Sequence, residues 1–94
     1  MGEDKALEIG LAALAYVAGD EDALGRFMNE TGVDAAGLKA RAGEPALLGA
    51  LLDFLFADES LLLAFCKAES LPVNAIIKAR AALPGGISAL EGWA

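Results

Sequence analysis

The chain has 94 residues, 56% of them hydrophobic, and 14 acidic residues against seven basic ones give a formal net charge of −7. This length predicts one domain with its own core, and the apolar content excludes a disordered chain. The negative charge argues against binding to nucleic acid or to an anionic membrane surface. The chain has no histidine, which excludes a serine–histidine triad and histidine-ligated zinc.

The first predicted helix covers about residues 3–18. Its most regular apolar positions are spaced by three and four residues, which places them on one face of a helix. These positions are Leu7, Leu11, Leu14 and Ala18, with Val17 beside them.

Two shorter helices follow. Asp20 is a typical N-cap for a second helix over about residues 20–30, and Asp34 is one for a short third helix. The last turn of the third helix contains Lys39 and Arg41. Cations at that position interact favourably with the helix dipole, so these two residues need no functional role.

Three more helices are predicted in the second half. Pro45 is suited to the first position of the fourth helix, which ends near Phe56. Asp58 caps a fifth helix that ends near Glu69, and Pro72 opens a sixth that ends near residue 83.

Residues 46–66 (ALLGALLDFLFADESLLLAFC) are long and apolar enough to suggest a membrane span. Eleven Leu and Phe favour insertion by about 3–7 kcal/mol in total, but three acids near the centre cost about 2.5–3.5 kcal/mol each. The segment therefore predicts two helices of a soluble hairpin. Asp53 is expected on the solvent side and Asp58 at the joint.

Residues 7–42 resemble residues 45–81. At a shift of 38 positions Asp20 aligns with Asp58. One extra residue between the second and third helices of the later half makes the shift 39 from there on, and LKARA (38–42) then aligns with IKARA (77–81). Chance similarity in a chain rich in Ala and Leu is the alternative. The predicted fold is all-α: a compact bundle of five or six short helices in one domain over residues 1–84, built from two similar three-helix halves, with residues 85–94 as a tail.

Candidate catalytic and metal-binding groups all have simpler interpretations. The acidic runs at 20–22 and 58–59 lack the alternating ligands and the glycine of a calcium loop, and they suit helix N-termini. Cys66 lies on the apolar side of the fifth helix and predicts a buried thiol. We therefore expect no catalytic residue, no metal site and no cofactor.

Two residues are candidates for an interaction surface. Leu63 lies between Ser60 and Lys67 on the face of the fifth helix that should contact water. Trp93 ends an apolar-spaced tail, and we expect it either to fold back onto the bundle or to contact a partner. The basic pairs at 39 and 41 and at 78 and 80 are two residues apart, so neither pair forms one patch.

Three stretches carry a resemblance to a known family: the LGRF…TG run from residue 24, LLDFLFADESLLLAF over 51–65, and a final LP…A…AR helix. Over about residues 6–83 the chain resembles a family of small alphaproteobacterial proteins classified as a domain of unknown function. The resemblance implies a small helical soluble protein and supplies no catalytic residues.

These observations predict a non-catalytic module that binds another protein, with self-association as one form of that binding. The alternative is a protein that binds a small ligand or lipophile in a cavity between the two halves. The acidic start MGEDKALEIG lacks the pattern of a signal peptide, and a single cysteine suits a reducing compartment. We therefore expect a cytoplasmic location.

Overall fold

The computed structural model describes residues 2–83. These residues form six α-helices and no strand. The helices are α1 (Glu3–Ala18), α2 (Glu21–Thr31), α3 (Ala35–Ala40), α4 (Pro45–Phe56), α5 (Glu59–Glu69) and α6 (Val73–Ala81). The predicted all-α bundle is confirmed, and the apolar segment 46–66 is two helices, α4 and α5, rather than one.

Three aspartates begin helices as their positions predict. The carboxylate of Asp20 accepts hydrogen bonds from the backbone N–H groups of residues 22 and 23 at the start of α2. Asp34 accepts one from residue 37 at 2.7 Å, and Asp58 accepts one from residue 61 at 3.1 Å. Each carboxylate satisfies a backbone donor that has no partner within its helix.

Helix α4 is the centre of the core. It packs against α1, α5 and α6, and most of its side chains are buried, including Leu47, Leu48, Leu51, Leu52 and Leu55. Because helices cover it on several sides, α4 has no fully polar face.

The apolar face predicted for α1 is only partly buried, since Leu7 and Leu14 pack half-buried against the core and Val17 beside them is fully buried. The helix turns a different set of residues to the core, namely Ala6, Ile9, Gly10, Ala13 and Val17, and Leu11 is 45% exposed. The reason is the close approach of α1 to α4: a Cβ atom at Gly10 would lie 2.7 Å from the Cβ of Leu48. No side chain fits at that point of contact, so the side of α1 that carries Gly10 faces α4.

The joints before α2 and before α5 have the same hydrogen bonds. The N–H of Asp20 donates to the carbonyl of Val17 at 3.1 Å, and the N–H of Asp58 donates to the carbonyl of Leu55 at 3.1 Å. Both pairs are related by the predicted shift of 38 positions. The relation between the complete halves stays a prediction.

The third helix of each predicted half differs. Helix α6 has nine residues and packs against α1, α4 and α5. Helix α3 has six residues and, within residues 2–83, makes only marginal helix-to-helix contact. The surface of α1 near α3 is therefore left partly uncovered.

Within residues 2–83 no single helix is long and apolar enough to cross a membrane. Helices α5 and α6 pass that test only when taken together, by length and composition, and they are bent by 101° relative to one another.

Candidate interaction surface

A cleft of about 530 Å³ opens between α1, α2 and α3. Seven of its eight lining residues are apolar and the eighth is a lysine. They are Leu14 and Ala18 of α1, Leu24 of α2, and Ala35, Ala36, Leu38, Lys39 and Ala42 of α3 and the turn after it. Half of the lining residues are alanines, and their short side chains leave the volume open.

An apolar stripe on α1 runs into this cleft. We call Leu7, Leu11, Leu14 and Ala18 the α1 stripe. Leu7 and Leu14 are half-buried, and Leu11 and Ala18 are exposed. Leu14 and Ala18 belong to both the stripe and the wall of the cleft, so the two features form one continuous apolar surface.

The stripe and the core face of α1 are both apolar. The core face contains Gly10, where α1 approaches α4. In the stripe, Leu7 and Leu14 pack half-buried against the core, and Leu11 and Ala18 are exposed. A surface helix normally carries polar residues on the face that is exposed to solvent. The exposure of this stripe is therefore a feature that the core does not explain.

Charged residues lie at both ends of this surface. The first turn of α1 contains Glu3 and Asp4, and Glu8 follows one turn later. The carboxylate of Glu8 lies 3.9 Å from the ammonium group of Lys5, and both side chains are exposed. An exposed ion pair of this kind contributes little to stability. At the other end Lys39 lines the cleft. Acidic residues also adjoin the cleft, since Asp20 and Glu21 follow Ala18 and Asp34 precedes Ala35.

Arg26 links α2 to the start of α5. Its guanidinium lies 3.3 Å from the carboxylate of Asp22, donates to Asp58 at 3.1 Å, and lies 5.6 Å from the centre of the Phe54 ring. The backbone N–H of Leu61 and then Arg26 lower the pKa of Asp58. These contacts hold the joint in place, and the sequence offered no rule that would pair residues 32 positions apart.

Asp53 is half-buried rather than fully in solvent as expected. Its carboxylate accepts a hydrogen bond from Nε of Arg80 at 2.6 Å, and Nη1 of Arg80 donates to the carbonyl of Leu83 at 2.8 Å. Arg80 therefore ties α6 to α4 and also bonds a carbonyl just after the end of α6. Its role is structural, which accounts for one member of the basic pair at 78 and 80.

Cys66 is a buried free thiol, as predicted. Burial raises its pKa, so the thiol is the protonated and less reactive form at neutral pH. In the described part of the chain no three side chains of the His, Cys, Asp or Glu type come together as a metal site.

The stripe and the cleft lie within a segment that matches a family model, which covers residues 3–86 and is described as "Protein of unknown function (DUF3572)". The chain belongs to the DUF3572 family. This confirms the resemblance found in the sequence, while an alphaproteobacterial source stays a prediction. No curated protein and no solved structure matches the chain.

Of the two interaction residues predicted from the sequence of this DUF3572 chain, the structure describes Leu63 but not Trp93. Leu63 is 49% exposed on α5, as expected, but its helical neighbours Glu59, Ser60 and Lys67 are polar and exposed. It is thus the one large hydrophobic residue exposed on α5, and its role stays a prediction. Trp93 lies outside the described residues.

The α1 stripe was missed as a surface, although its signal was present. Apolar residues occupy more than one face of α1, since Ile9 and Val17 lie off the face defined by Leu7 and Leu11. A helix with two apolar faces predicts burial on more than one side.

Proposed function

We propose that this chain is a non-catalytic module that binds an amphipathic helix of another protein along the α1 stripe and the adjoining cleft. One observation carries the proposal: four apolar residues at helical spacing are left partly or fully exposed and lead directly into an apolar cleft. Isolated exposed leucines are ordinary, whereas a contiguous apolar patch marks an interaction site.

The spacing of the stripe suits a helical partner. Positions 7, 11, 14 and 18 alternate steps of four and three residues, which is the pattern that a second helix matches in a coiled coil or in a helix-binding groove. Each leucine side chain that moves from water into such an interface contributes up to about 1.5–3 kcal/mol. Three leucines and the cleft are therefore enough for a specific interaction of moderate strength.

The charge of the chain favours a basic partner over a second copy. A net charge of −7 repels another copy of the same acidic chain and attracts a partner with Lys and Arg beside its apolar residues. The same charge is the reason that nucleic acid is not proposed. The proposal includes the cytoplasmic location expected from the sequence, which the single buried cysteine supports.

Leu11 and Leu63 provide a matched pair of variants, because they are 45% and 49% exposed on different helices. Leu11→Glu places a charge in the middle of the stripe, and Leu63→Glu places the same charge on α5. Both variants should remain folded, which circular dichroism and thermal unfolding check. Proteins captured from a native lysate by the wild type and by both variants are compared by quantitative mass spectrometry.

A protein that is captured by the wild type is then purified, and its binding is measured by calorimetry. We expect Leu11→Glu to weaken binding about tenfold or more and Leu63→Glu to leave it within about twofold. Equal binding by all three forms would refute the stripe as the site. Loss with Leu63→Glu alone would move the site to α5, as the sequence predicted.

The volume of the cleft supports a second candidate, the binding of a small lipophile. About 530 Å³ is within the usual range for ligand sites, roughly 300–1,000 Å³. The sequence placed such a cavity between the two halves, but this cleft lies among α1, α2 and α3. A pocket between α1 and the end of α5 has only about 160 Å³ and is partly charged, with Lys5, Glu8 and Glu69 in its lining.

Native mass spectrometry separates the two candidates. A retained small molecule that disappears when Ala36→Trp fills the cleft, and that is unaffected by Leu11→Glu, would favour the lipophile. A protein with no retained molecule would leave the helix-binding proposal as the better one.

A further inference from the structure

We propose that the C-terminal segment, residues 84–94, folds back onto the bundle and places Trp93 in the cleft between α1, α2 and α3. The segment then covers part of the surface proposed for the partner helix, and a partner must displace it. The contact within the chain is independent of the proposed function, whereas the competition with a partner rests on it.

The cleft lacks a large side chain that the other half of the predicted repeat has. At the shift of 38 positions, Ala18 of the cleft wall corresponds to Phe56 of α4. Phe56 is half-buried and packs against the core, whereas Ala18 is exposed. The first half therefore leaves room for an aromatic ring, within a cleft of about 530 Å³, where the second half has its own.

Ring contacts between the helices support this comparison of the two halves. Tyr16 packs edge-on against Phe65 with the ring centres 5.5 Å apart. Phe27 packs in the same manner against Phe54 with the ring centres 5.4 Å apart. The shift of 38 positions exchanges the two pairs, because it relates position 16 to 54 and position 27 to 65. The second half is therefore a guide to what the cleft can hold.

The leucines of the cleft have less cover than their counterparts in the second half. Leu14 and Leu24 line the cleft and are half-buried. Their counterparts at the shift of 38 positions, Leu52 and Leu62, are buried. A large aromatic side chain placed in the cleft would remove apolar surface of both cleft leucines from water, and this burial favours the contact.

Trp93 is the aromatic residue that the chain has available for this position. It is the one tryptophan of the chain, and the other aromatic residues all belong to the described residues. Ile87 and Leu90 precede it at intervals of three residues. The segment can therefore present several apolar side chains to the same surface.

The charges beside the cleft have both signs and do not select the occupant. Lys39 lies in the lining, and acidic residues adjoin the cleft at positions 20, 21 and 34. Glu91 is the one charged side chain of residues 84–94. Few charges therefore lose water when the segment docks, and apolar burial determines the contact.

The segment is long enough to reach the cleft. The described residues end at Leu83, which is buried just after α6, and α6 packs directly against α1. Trp93 follows Leu83 by ten residues, which span about 33 Å when extended, and the longest dimension of the structure is 31 Å. Gly85 and Gly86 allow the chain to change direction after the helix. A tether of this length gives Trp93 an effective concentration on the order of 1 mM at the bundle.

The fluorescence of Trp93 tests the contact in the full-length protein, because no other tryptophan contributes to the signal. Excitation is set where tyrosine does not absorb, and acrylamide quenching measures the access of solvent to the ring. Ala18→Phe places the ring of the second half in the cleft. Ala64→Phe is the matched control, since Ala64 is an exposed alanine on α5.

Circular dichroism and thermal unfolding check that these variants are folded. Ala36→Phe fills the cleft from the opposite wall and takes the place of Ala18→Phe should that variant fail to fold.

We expect Trp93 of the wild type and of Ala64→Phe to emit at shorter wavelengths than the free peptide of residues 84–94 and to be quenched several-fold less. Ala18→Phe should shift the emission to longer wavelengths and raise the quenching to that of the peptide. Neither signal should depend on protein concentration.

Three results would refute the contact. Emission and quenching of the wild type equal to those of the peptide would show that Trp93 is not docked. Protection that the cleft-filling variants leave unchanged would place Trp93 elsewhere on the bundle. Protection that is lost on dilution would place it in a second copy of the chain.

The competition is tested on a protein captured in the lysate comparison described above. Trp93→Ala should raise its affinity several-fold, because the docked segment no longer occupies the surface. Unchanged affinity would refute the competition and leave the contact within the chain standing. If no captured protein depends on Leu11, the proposed function and the competition are both refuted, while the fluorescence of Trp93 still decides the contact.

Discussion

Helices α1 and α4 begin the two predicted halves, but the bundle buries them differently. Helix α4 is covered by α1, α5 and α6, and eight of its 12 residues are buried. Helix α1 is longer, with 16 residues, and buries five. Helix α1 packs against α2, α4, α5 and α6, but the short α3 makes little contact with it, and the cleft beside α1 stays open.

This comparison shows how two similar segments can acquire different roles. Burial on several sides makes α4 the element that holds the bundle together. Partial cover leaves α1 with an apolar stripe in which Leu7 and Leu14 are only half-buried and Leu11 is exposed, and such a surface is available for binding. The predictions below test this difference between α1 and α4 and the contacts that produce it.

The largest difference in stability is expected between substitutions of two leucines at equivalent positions of the predicted repeat. Leu52 is fully buried in α4, and Leu14 is half-buried in the wall of the cleft. Leu52→Ala should lower the free energy of unfolding by about 2–5 kcal/mol, because it leaves a cavity in the core. Leu14→Ala should lower it by only about 1 kcal/mol, because less apolar area is lost.

Urea denaturation followed by circular dichroism measures both variants. Similar losses for Leu14→Ala and Leu52→Ala would contradict the claim that α1 has an uncovered side. They would also weaken the argument that the cleft is a binding surface.

The next effect concerns the approach of α1 to α4. Gly10→Ala would place a Cβ atom 2.7 Å from the Cβ of Leu48, so the helices must separate and the protein should lose about 1–3 kcal/mol of stability. Gly25→Ala in α2 is the control, since no atom lies within 4 Å of its added Cβ. It should stabilise the protein by about 0.5–1 kcal/mol through helix propensity. A stabilising Gly10→Ala would contradict the close packing.

A smaller effect is expected for the bond between α6 and α4. Arg80→Met removes the 2.6 Å contact to Asp53 and the bond to the carbonyl of Leu83, and should cost about 1–2 kcal/mol. Lys5→Met removes only the exposed 3.9 Å pair with Glu8 and should change stability by less than about 0.5 kcal/mol. Thermal unfolding at two salt concentrations compares the two variants. Equal effects would show that Arg80 does not hold α6 in place.

The smallest expected effect is a pH dependence of the free energy of unfolding, and it arises at the joint before α5. The Leu61 N–H and Arg26 lower the pKa of Asp58 from its ordinary value of 3.8. A group with a lowered folded-state pKa stabilises the fold above its unfolded-state pKa and loses that contribution as the pH falls through the folded-state value. Asn can still cap a helix, so Asp58→Asn removes mainly the charge.

We therefore expect the wild type to have a larger free energy of unfolding than Asp58→Asn at pH 7. This difference in free energy should shrink as the pH falls below about 4. Denaturant unfolding at pH 7, 5 and 3 measures this difference, and NMR titration of the Asp58 carboxyl group checks the direction of its pKa. A difference in the free energy of unfolding that does not change with pH would mean that the charge of Asp58 contributes nothing to stability.

Much of the local structure could be predicted from the sequence. The positions of Asp20, Asp34 and Asp58 marked the starts of three helices, because a side-chain carboxylate at that position satisfies free backbone donors nearby in the chain. The burial of Cys66 and the exposure of Leu63 followed from the helical period alone. These features depend on residues within one or two turns of each other.

The surface of α1 could be predicted only in part. The helical period correctly placed Leu7, Leu11 and Leu14 on one side, but a second apolar side was available, and the period cannot decide which of the two faces the core. The pairing of Asp53 with Arg80 was equally out of reach, because it joins residues 27 positions apart whose proximity depends on how α6 packs.

By itself the sequence determined the helices, their caps, the absence of a histidine-based site and the acidic character of the chain, since each depends on composition or on short-range geometry. The tertiary structure decided which side of α1 is buried. Gly10 allows α1 to approach Leu48 of α4 closely, and this contact turns the small residues inward and leaves the leucine stripe beside the cleft. The buried side of α1 is therefore determined by close packing between segments that are distant in the sequence.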